Sequence, residues 1–491
     1  MLTKYQLFMA LYFFTFLSCK STDINKVKVQ STENKHIGKG DTANSKSPKP
    51  NIIFILADDL GYGDLGCYGQ SKIATPNLDK MANEGIQFTN HYAGSTVCGP
   101  SRASLMLGMD TGHSYIRGND PLPITYPLRP QDYTVADLLK NGGYRTAVIG
   151  KWGLGNSGTT GTPNKQGFDY FYGYLSHVRA HNAYTNYLWR NNEKVQLSNK
   201  VVMASEGYAK DLGSVSSNKL EYANDLFTEE AISYINKSTP AEPFFLYLAY
   251  TIPHANNEHN LLYEHGMEVP SLGLYQNENW PEVEKSKAAA ITRMDTYIGQ
   301  ILDLLKNKGI DKNTLVIFTS DNGPHAEGNV NPEFFDSNYN LRGIKRDLYE
   351  GGVKVPFIAW WPETIQAGKK TNHQSAFWDF MATCSDITNV PLNSNSNGIS
   401  YLPTLLGQEQ NQKQHDYLYW EFNKKGKKQA LIYKNWKLIH LLSENLYELY
   451  DLDQDVEERN NVLQFQPELT ELLKDKMAKA RTPSKEFPLN K

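Results

Sequence analysis

Continuous apolar runs of strand length recur along this chain and alternate with stretches of helical periodicity. Residues 52–57 and 315–318 are uninterrupted apolar runs, which are typical of strands buried on both faces of a parallel sheet. Further strands are predicted at 144–150, 243–250 and 355–361. Helices are predicted between them at 75–85, 132–143 and 285–309. This alternation predicts a doubly wound α/β domain over residues 51–400.

After residue 410 the pattern changes to short aromatic runs separated by polar turns. The segments "DYLYWEF" and "KQALIYKNWKLIHLL" are followed by a helical stretch, "PELTELLKDKMAKA". They predict a smaller antiparallel sheet with one helix over residues 410–491. The polar segments "NSNSNGIS" and "GQEQNQKQ" place the boundary between Asn389 and Gln414.

The first 50 residues are expected to lie outside the fold. An apolar stretch at 7–17, too short to span a bilayer, ends near Cys19 and predicts a signal peptide over 1–19. "FLSC" resembles a bacterial lipobox, which implies a lipid on Cys19; an ordinary cleaved signal with an incidental cysteine is the alternative. Residues 20–50 are polar and predict a disordered tether. We therefore expect an exported bacterial protein, a periplasmic or outer-membrane lipoprotein held to the membrane only through its lipid.

Charge and cysteine content narrow the possible partners. The net charge is −3, with 50 basic and 53 acidic residues, so no overall field favours nucleic acid or an anionic membrane. A lipid on Cys19 would leave three cysteines, Cys67, Cys98 and Cys384. An odd number in an exported chain argues against a disulfide framework, and at least one thiol needs another explanation.

Two predicted buried strands each end in a pair of oxygen-bearing side chains. Asp58 and Asp59 follow the first run, and Asp321 and Asn322 follow the run at 315–318. Ligands of open α/β sheets lie beyond the carboxyl ends of the strands, where these pairs could converge. Such an oxygen-only set suits Ca²⁺ or Mg²⁺ and disfavours zinc. Taken separately, each pair could instead be a turn cap or a loop start.

Cys98 begins a motif that gives the thiol a function. Residues 98–102, "CGPSR", fit C-x-P-S-R, and residues 143–155 fit G-Y-x-T-x-x-x-G-K-x-x-x-G. In "IKRDLYEGG" a lysine, Lys345, stands four residues before the tyrosine. Together with "ADD", "IPH" and "DNG", these motifs closely resemble the type I sulfatases from about residue 50 to residue 460, including sulfatases of bacterial polysaccharide utilisation.

The resemblance implies an alkaline-phosphatase-like fold, with a large mixed, mostly parallel sheet, and a sulfuric ester hydrolase activity. It implies that Cys98 is oxidised to formylglycine by a formylglycine-generating or an anaerobic sulfatase-maturing enzyme. The hydrated aldehyde attacks sulfur with one hydroxyl, and the other then expels sulfate. The expected cation is Ca²⁺ in preference to Mg²⁺, held by Asp58, Asp59, Asp321, Asn322 and one oxygen of residue 98.

Four further residues match catalytic positions of the family. Arg102 would hold the diol, and Lys151 and Lys345 would bind sulfate oxygens. His254, in "TIPH", matches a histidine near the leaving oxygen, and we assign it as general acid because imidazole donates protons near neutral pH.

The sequence departs from the family pattern at Gly153. Many relatives have K-W-H-L-G, whose histidine contacts the diol, whereas this chain reads "KWGLG". We hypothesise that His177 or His181 reaches the vacated space, with His181 favoured. The alternative is that both are substrate-subsite or loop histidines.

The expected substrate is a sulfated carbohydrate, with sulfated galactose units as the first candidate. One alternative is a phosphodiesterase or phosphonate monoester hydrolase of the same superfamily, since the same diol and cation can attack phosphorus. Another is a non-catalytic, lipid-anchored glycan-binding protein, which would follow if Cys98 is never converted.

Overall fold

The computed structural model describes residues 49–119, 126–204, 213–392, 395–424 and 426–489. The predicted signal peptide, Cys19 and almost all of the predicted tether lie outside these ranges. The strands are β1 Asn51–Ala57, β2 Ile86–Phe88, β3 His91–Tyr92, β4 Arg145–Lys151, β5 Tyr170–Tyr174, β6 Tyr187–Arg190, β7 Glu193–Gln196, β8 Lys200–Ala204, β9 Ser214–Asn218, β10 Phe244–Ala249, β11 Thr314–Ser320, β12 Phe357–Trp360, β13 Lys369–Thr371, β14 Ser375–Ala376, β15 Leu418–Phe422, β16 Lys428–Tyr433, β17 Trp436–Leu441 and β18 Leu446–Asp451. The α-helices are α1 Pro76–Glu84, α2 Cys98–Leu107, α3 Val135–Asn141, α4 Ala223–Asn236, α5 Asn257–Tyr263, α6 Glu282–Asn307, α7 Glu350–Val353, α8 Asp379–Thr388, α9 Leu402–Leu405 and α10 Pro467–Lys479.

Ten of the described strands form one sheet, in the order β13-β2-β12-β11-β1-β10-β4-β5-β6-β7. The five central strands, β11 to β5 in this order, are mutually parallel. β12 runs antiparallel to β11. At the other edge of the sheet β6 is antiparallel to β5, and β7 is antiparallel to β6. The predicted mixed, mostly parallel sheet is therefore confirmed.

Helices cover both faces of the sheet. As a result, every residue of β1 is buried. Ile53 and Ile55 pack in a core that also contains residues of α4 and α6. Phe54 points to the opposite face and packs in a core shared with α2, α3 and α8. This burial on two faces explains why the strand reads as a continuous apolar run rather than an alternating one.

The C-terminal part is a four-stranded antiparallel meander, β15 to β18, as predicted. One face packs on α10, through residues such as Leu438 and Leu473. The other face packs on the main domain, where Trp420 contacts Tyr92 and Trp378. The meander thus shares a core with the α/β domain. None of the helices in the described ranges combines the length and apolarity that crossing a bilayer requires.

Candidate active site

Four adjacent parallel strands deliver the predicted residues to one edge of the sheet. The neighbouring strands β11 and β1 are followed at their carboxyl ends by Asp321 and Asp58. β10, the next strand in the sheet, leads into the loop that carries His254, and Lys151 is the last residue of β4. Ala57 and Ser320 are paired in register, so the two acidic segments leave the sheet side by side. The site therefore lies beyond the carboxyl ends of the strands, where open α/β sheets bind ligands.

The four oxygen donors of this edge are completely buried, and hydrogen bonds link three of them. The backbone N–H of Asp59 donates to Asp321 Oδ1 at 3.0 Å, and Asn322 Nδ2 donates to Asp59 Oδ1 at 2.7 Å. Asp59 has a positive φ of 66°, a left-handed conformation that non-glycine residues seldom adopt and that is often found at functional sites.

Three cations pair with the three carboxylates. Arg102 donates from Nε and Nη2 to Asp321 Oδ2, at 3.0 and 2.8 Å. Lys151 Nζ lies 2.7 Å from Asp58 Oδ2, and Lys345 Nζ lies 2.8 Å from Asp59 Oδ2. Burial alone would raise the pKa of Asp58, but the positive charges led by Lys151 outweigh it and hold that pKa well below its ordinary value. Asp58 and Asp59, whose pKa values are both lowered, are therefore ionised, whereas burial and the nearby charge of Asp58 raise the pKa of Asp321 to about 7.

The donor set fits a hard divalent cation. Asp58 Oδ1 and Asn322 Oδ1 are buried and have no hydrogen-bond partner among the described residues. Buried oxygens without partners are costly, and a cation between them would remove that cost. Asp59, His325 and Glu327 also cluster, but both ring nitrogens of His325 are already engaged, with the Pro253 carbonyl and the Glu327 N–H. His325 is consequently a structural residue.

Cys98 is the first residue of α2 and lies at the wall of a cavity of about 160 Å³. Arg102 follows one helical turn later and faces the same edge, with Nη1 donating to the Lys151 carbonyl at 2.7 Å. The cavity is also lined by Lys345 and by three histidines, His177, His181 and His254. A wider cleft of about 560 Å³ shares Glu327, Lys345 and Arg346 with it.

Both ring nitrogens of His254 are hydrogen-bonded. Nδ1 lies 2.7 Å from the Ala255 carbonyl, which only accepts, so Nδ1 carries a proton. Nε2 lies 3.2 Å from Lys345 Nζ and accepts from that ammonium group. Burial, reinforced by the charge on Lys345, lowers the pKa of His254 to about 3. The ring is therefore neutral, with its Nε2 lone pair directed at Lys345.

His177 and His181 occupy different places. A side chain added at Gly153 would meet His177 Cβ at 3.7 Å, so His177 is the histidine next to the position where relatives have theirs. His177 Nε2 is buried without a partner among the described residues, and burial lowers the pKa of the ring to about 3. His181 instead stacks on His254, with ring centroids 4.8 Å apart.

Three residues of the site carry no sequence signal. Asn119 Nδ2 donates to Cys98 Sγ at 3.3 Å while its Oδ1 accepts from the Gly99 N–H. Glu327 pairs with Lys345 Nζ at 3.1 Å and with Arg346. Glu258 lies against His181. The contacting residues are 18 to 77 positions apart in the chain, and no motif or spacing could have indicated the contacts.

The other two cysteines of the described ranges lie outside the cavity lining. Cys384 is buried in α8, and Cys67 is partly buried beside Asp79. Burial raises the pKa of both thiols. Among the described cysteines, Cys98 alone combines helix-terminal placement with a cation-lined cavity.

Comparison with known proteins gives consistent matches. Residues 50–390 match the sulfatase family, and residues 343–483 match the C-terminal family of N-sulphoglucosamine sulphohydrolase. The chain is 30% identical to an N-acetylgalactosamine-6-O-sulfatase of Bacteroides thetaiotaomicron, over 89% of this chain and 94% of that protein. It is 32% identical to human N-acetylgalactosamine-6-sulfatase, over 73% of this chain and 66% of the human protein.

Solved structures agree over most of the chain. Ps i-CgsB, determined in complex with k-i-k-neocarrahexaose, has a TM-score of 0.73 and 25% identity, covering 88% of this chain and 92% of that one. A Bacteroides thetaiotaomicron sulfatase described in connection with the metabolism of multiple glycosaminoglycans has a TM-score of 0.72 and 27% identity, covering 88% and 99%.

Proposed function

Because this chain belongs to the sulfatase family, we propose that it hydrolyses sulfate esters of carbohydrates with a formylglycine derived from Cys98 and a bound Ca²⁺. Sulfuric ester hydrolysis, a formylglycine and a divalent metal follow from membership of the family. The observation that supports this chemistry here is that Cys98, three cations and four hard-oxygen donors converge at one edge of the sheet.

We assign the cation to Asp58, Asp59, Asp321 and Asn322, with one oxygen of the modified residue 98. When bound, Ca²⁺ would lower the pKa of an attached hydroxyl and offset the charge that develops on the sulfate oxygens. His254 lies close to Asp58 and Asp59, but both of its ring nitrogens are engaged with other groups, so the assigned ligands are oxygens, which suit Ca²⁺ or Mg²⁺ and disfavour zinc.

The remaining residues would hold the substrate and stabilise charge. Lys151 and Lys345 present ammonium groups for two sulfate oxygens, and Arg102 fixes the Asp321 carboxylate and the start of α2. His254 lies beside Lys345 and would contact the sulfate end of the substrate. Asn119 orients residue 98 through its contact with Sγ.

We propose that His177 takes the place of the histidine missing at Gly153, because its Cβ is the neighbour of that position. His177→Ala should then lower turnover of a sulfated saccharide more than tenfold, roughly 1.4 kcal/mol of barrier. Initial rates of sulfate release, measured at saturating substrate, test this. A loss below tenfold would contradict the assignment.

A carbohydrate substrate is supported by the relatives, two of which are named N-acetylgalactosamine-6-sulfatases and one of which was determined in complex with k-i-k-neocarrahexaose. The wider cleft beyond Lys345 leaves room for a neighbouring sugar. A panel of defined sulfated mono- and disaccharides, with liberated sulfate as the readout, would identify both the sugar and the sulfate position. A matched phosphodiester belongs in the panel, and preferential turnover of that compound would favour the phosphodiesterase alternative.

We further propose that the protein is exported as a lipoprotein, with residues 1–19 as signal peptide and lipobox, 20–50 as tether, 51–400 as catalytic domain and 410–491 as the C-terminal subdomain. Periplasmic or surface placement suits a glycan substrate, and Cys98 would be converted during export. Cys19→Ala should release the protein from the membrane fraction, and retention there would contradict lipidation.

A further inference from the structure

A lysine-rich turn between β15 and β16 borders the cavity around Cys98 and has no role in the sulfate and metal contacts assigned above. Residues 423–428 read "NKKGKK", with four lysines in six positions. Phe422 and Lys428 are paired in register across the two antiparallel strands, so they flank the turn of a hairpin of the C-terminal subdomain. Lys424 lines the cavity, and Lys428 lines the wider cleft. The C-terminal subdomain therefore adds positive charge to the same cavity that the α/β domain builds.

Lys428 holds the hairpin against the loop that carries Lys345. Its Nζ donates to Asp347 Oδ1 at 2.9 Å and to the Arg346 carbonyl at 3.3 Å. The backbone N–H of Arg346 donates to the carbonyl of Thr96, just before α2, at 3.0 Å. Arg346 also has a positive φ of 79°, a left-handed conformation that is uncommon for residues other than glycine and is often found at functional sites. These contacts fix Arg346 between the hairpin and the start of α2.

The side chain of Arg346 lies where the cavity and the wider cleft meet, since it lines both. Its Nη2 bonds Glu327, and 37% of the side chain is exposed. Because a guanidinium group carries five N–H donors, this bond leaves donors for a ligand. Glu327 also pairs with Lys345, so one carboxylate serves two cations. The described lining of the cavity contains three cationic side chains, those of Lys345, Arg346 and Lys424, and this one carboxylate.

The lining thus carries more positive charge than one sulfate monoanion requires. We propose that Arg346 and Lys424 form a second anion-binding subsite, which holds a sulfate or carboxylate group of the sugar next to the one that loses its sulfate. This inference rests on the function proposed above. Both groups present oxyanions that a guanidinium and an ammonium group bind through charge-assisted hydrogen bonds, and the cleft of about 560 Å³ gives the neighbouring sugar room. The preferred substrate is then a polyanionic saccharide and not a singly sulfated sugar.

The test compares disaccharides that carry the same scissile sulfate and differ only in the neighbouring sugar, which is neutral, sulfated or a uronic acid. Wild-type protein should hydrolyse one of the two anionic disaccharides with a kcat/KM about 100-fold above that of the neutral one. Arg346→Gln and Lys424→Gln should each lower this preference about tenfold, because each variant removes one charge-assisted contact. Lys424→Arg keeps the charge and should retain most of the preference. High salt should reduce the preference of the wild type, since salt screens exposed charges.

Lys434→Gln is the matched control. Lys434 follows β16 at the end opposite Lys428, about 20 Å along the strand, which exceeds the screening length of about 8 Å at physiological salt. The variant changes the net charge of the same subdomain by the same amount, and it should leave the preference within about twofold of wild type. Thermal unfolding of all variants identifies a folding defect, which would lower the rates on the three disaccharides equally.

Each result decides the inference. A preference that both variants weaken supports it, and the preferred disaccharide identifies the second anionic group as a sulfate or as a carboxylate. Wild-type protein that hydrolyses sulfate esters without preferring an anionic neighbour would overturn this inference alone. A preference that persists in both variants, or that falls equally in Lys434→Gln, would do the same. Wild-type protein inactive on every sulfate ester would overturn the proposed function and this inference together.

Discussion

Replacing Cys98 with alanine is expected to abolish sulfate release, with a loss of about 10⁴-fold or more, because the variant has no side chain from which to make the nucleophile. The cavity places Lys345, Arg346 and three histidines around this one position, and the described structure offers no second cysteine there. Residual activity would come only from water reacting in the cation-lined cavity. Sulfate release from the preferred saccharide, followed over several decades of enzyme concentration, measures a loss of this size.

The matched control for that variant is Cys67→Ala. Cys67 is partly buried and its backbone N–H bonds Asp79, a contact that alanine retains. Activity within about twofold of wild type is expected, since no reacting group is removed. Peptide mass over residue 98 completes the experiment, because conversion of the thiol to the aldehyde removes about 18 Da. Wild-type protein that turns over sulfate esters with an intact thiol would contradict the role given to Cys98, and an unconverted, inactive protein would favour a glycan-binding function.

The fold was largely predictable, because the pattern of apolar residues along the chain indicates which strands are buried. β1 and β11 extend the predicted runs by only one to two residues at an end, since continuous apolar sequence corresponds to burial on both faces. Strand direction was not predictable in the same way. β12 appears in sequence as another buried run, yet it lies antiparallel to β11, because the long segment between them stays at the carboxyl end of β11 and β12 starts there, with Phe357 beside Thr319.

The metal donors were predictable for a related reason. Residues that directly follow parallel strands lie at the same edge of the sheet, independent of loop conformation. Because β1 and β11 are neighbours, Asp58 and Asp321 lie close together. The positions of active-site residues that lie on loops do not follow from strand order in this way. His177 and His181 are four residues apart in a segment without helical periodicity, and only the folded backbone determines that His177 faces Gly153 while His181 meets Glu258.

The buried charges of the site balance without a metal. Asp58, Asp59 and Asp321 are matched by three cations, so the folded chain needs no ion to neutralise this edge of the sheet. Among the described residues, Asp58 Oδ1 and Asn322 Oδ1 have no hydrogen-bond partner, although Arg102 Nη2 lies 3.5 Å from Asp58 Oδ1. A divalent ion would satisfy these oxygens and leave the cavity with a net positive charge, which favours a sulfate anion. The metal is thus expected to be required for activity and much less for folding.

Removing the divalent ion by chelation should therefore lower the rate by about 10³-fold or more while the protein remains folded. Titrating Ca²⁺ back should restore activity, and Mg²⁺ should restore less, because Mg²⁺ demands a smaller and stricter octahedral site. The same titration should raise the melting temperature, since Ca²⁺ at about 100 times its Kd stabilises the folded state by about 2.7 kcal/mol. Circular dichroism of the chelated protein checks that the fold survives. Full activity after chelation would contradict the cation assignment.

Asp58→Asn tests the same site from the protein side. It removes one negative charge from the donor set and leaves Lys151 without its carboxylate partner, so both calcium affinity and maximal rate should fall. Glu458→Gln is the matched control because Glu458 is an equally buried carboxylate, paired with Lys437 in the C-terminal subdomain. It should lower the melting temperature, as the loss of any buried ion pair does, and leave the calcium dependence of the rate unchanged. If both variants shifted the calcium requirement alike, the effect of Asp58→Asn would reflect general destabilisation and not metal binding.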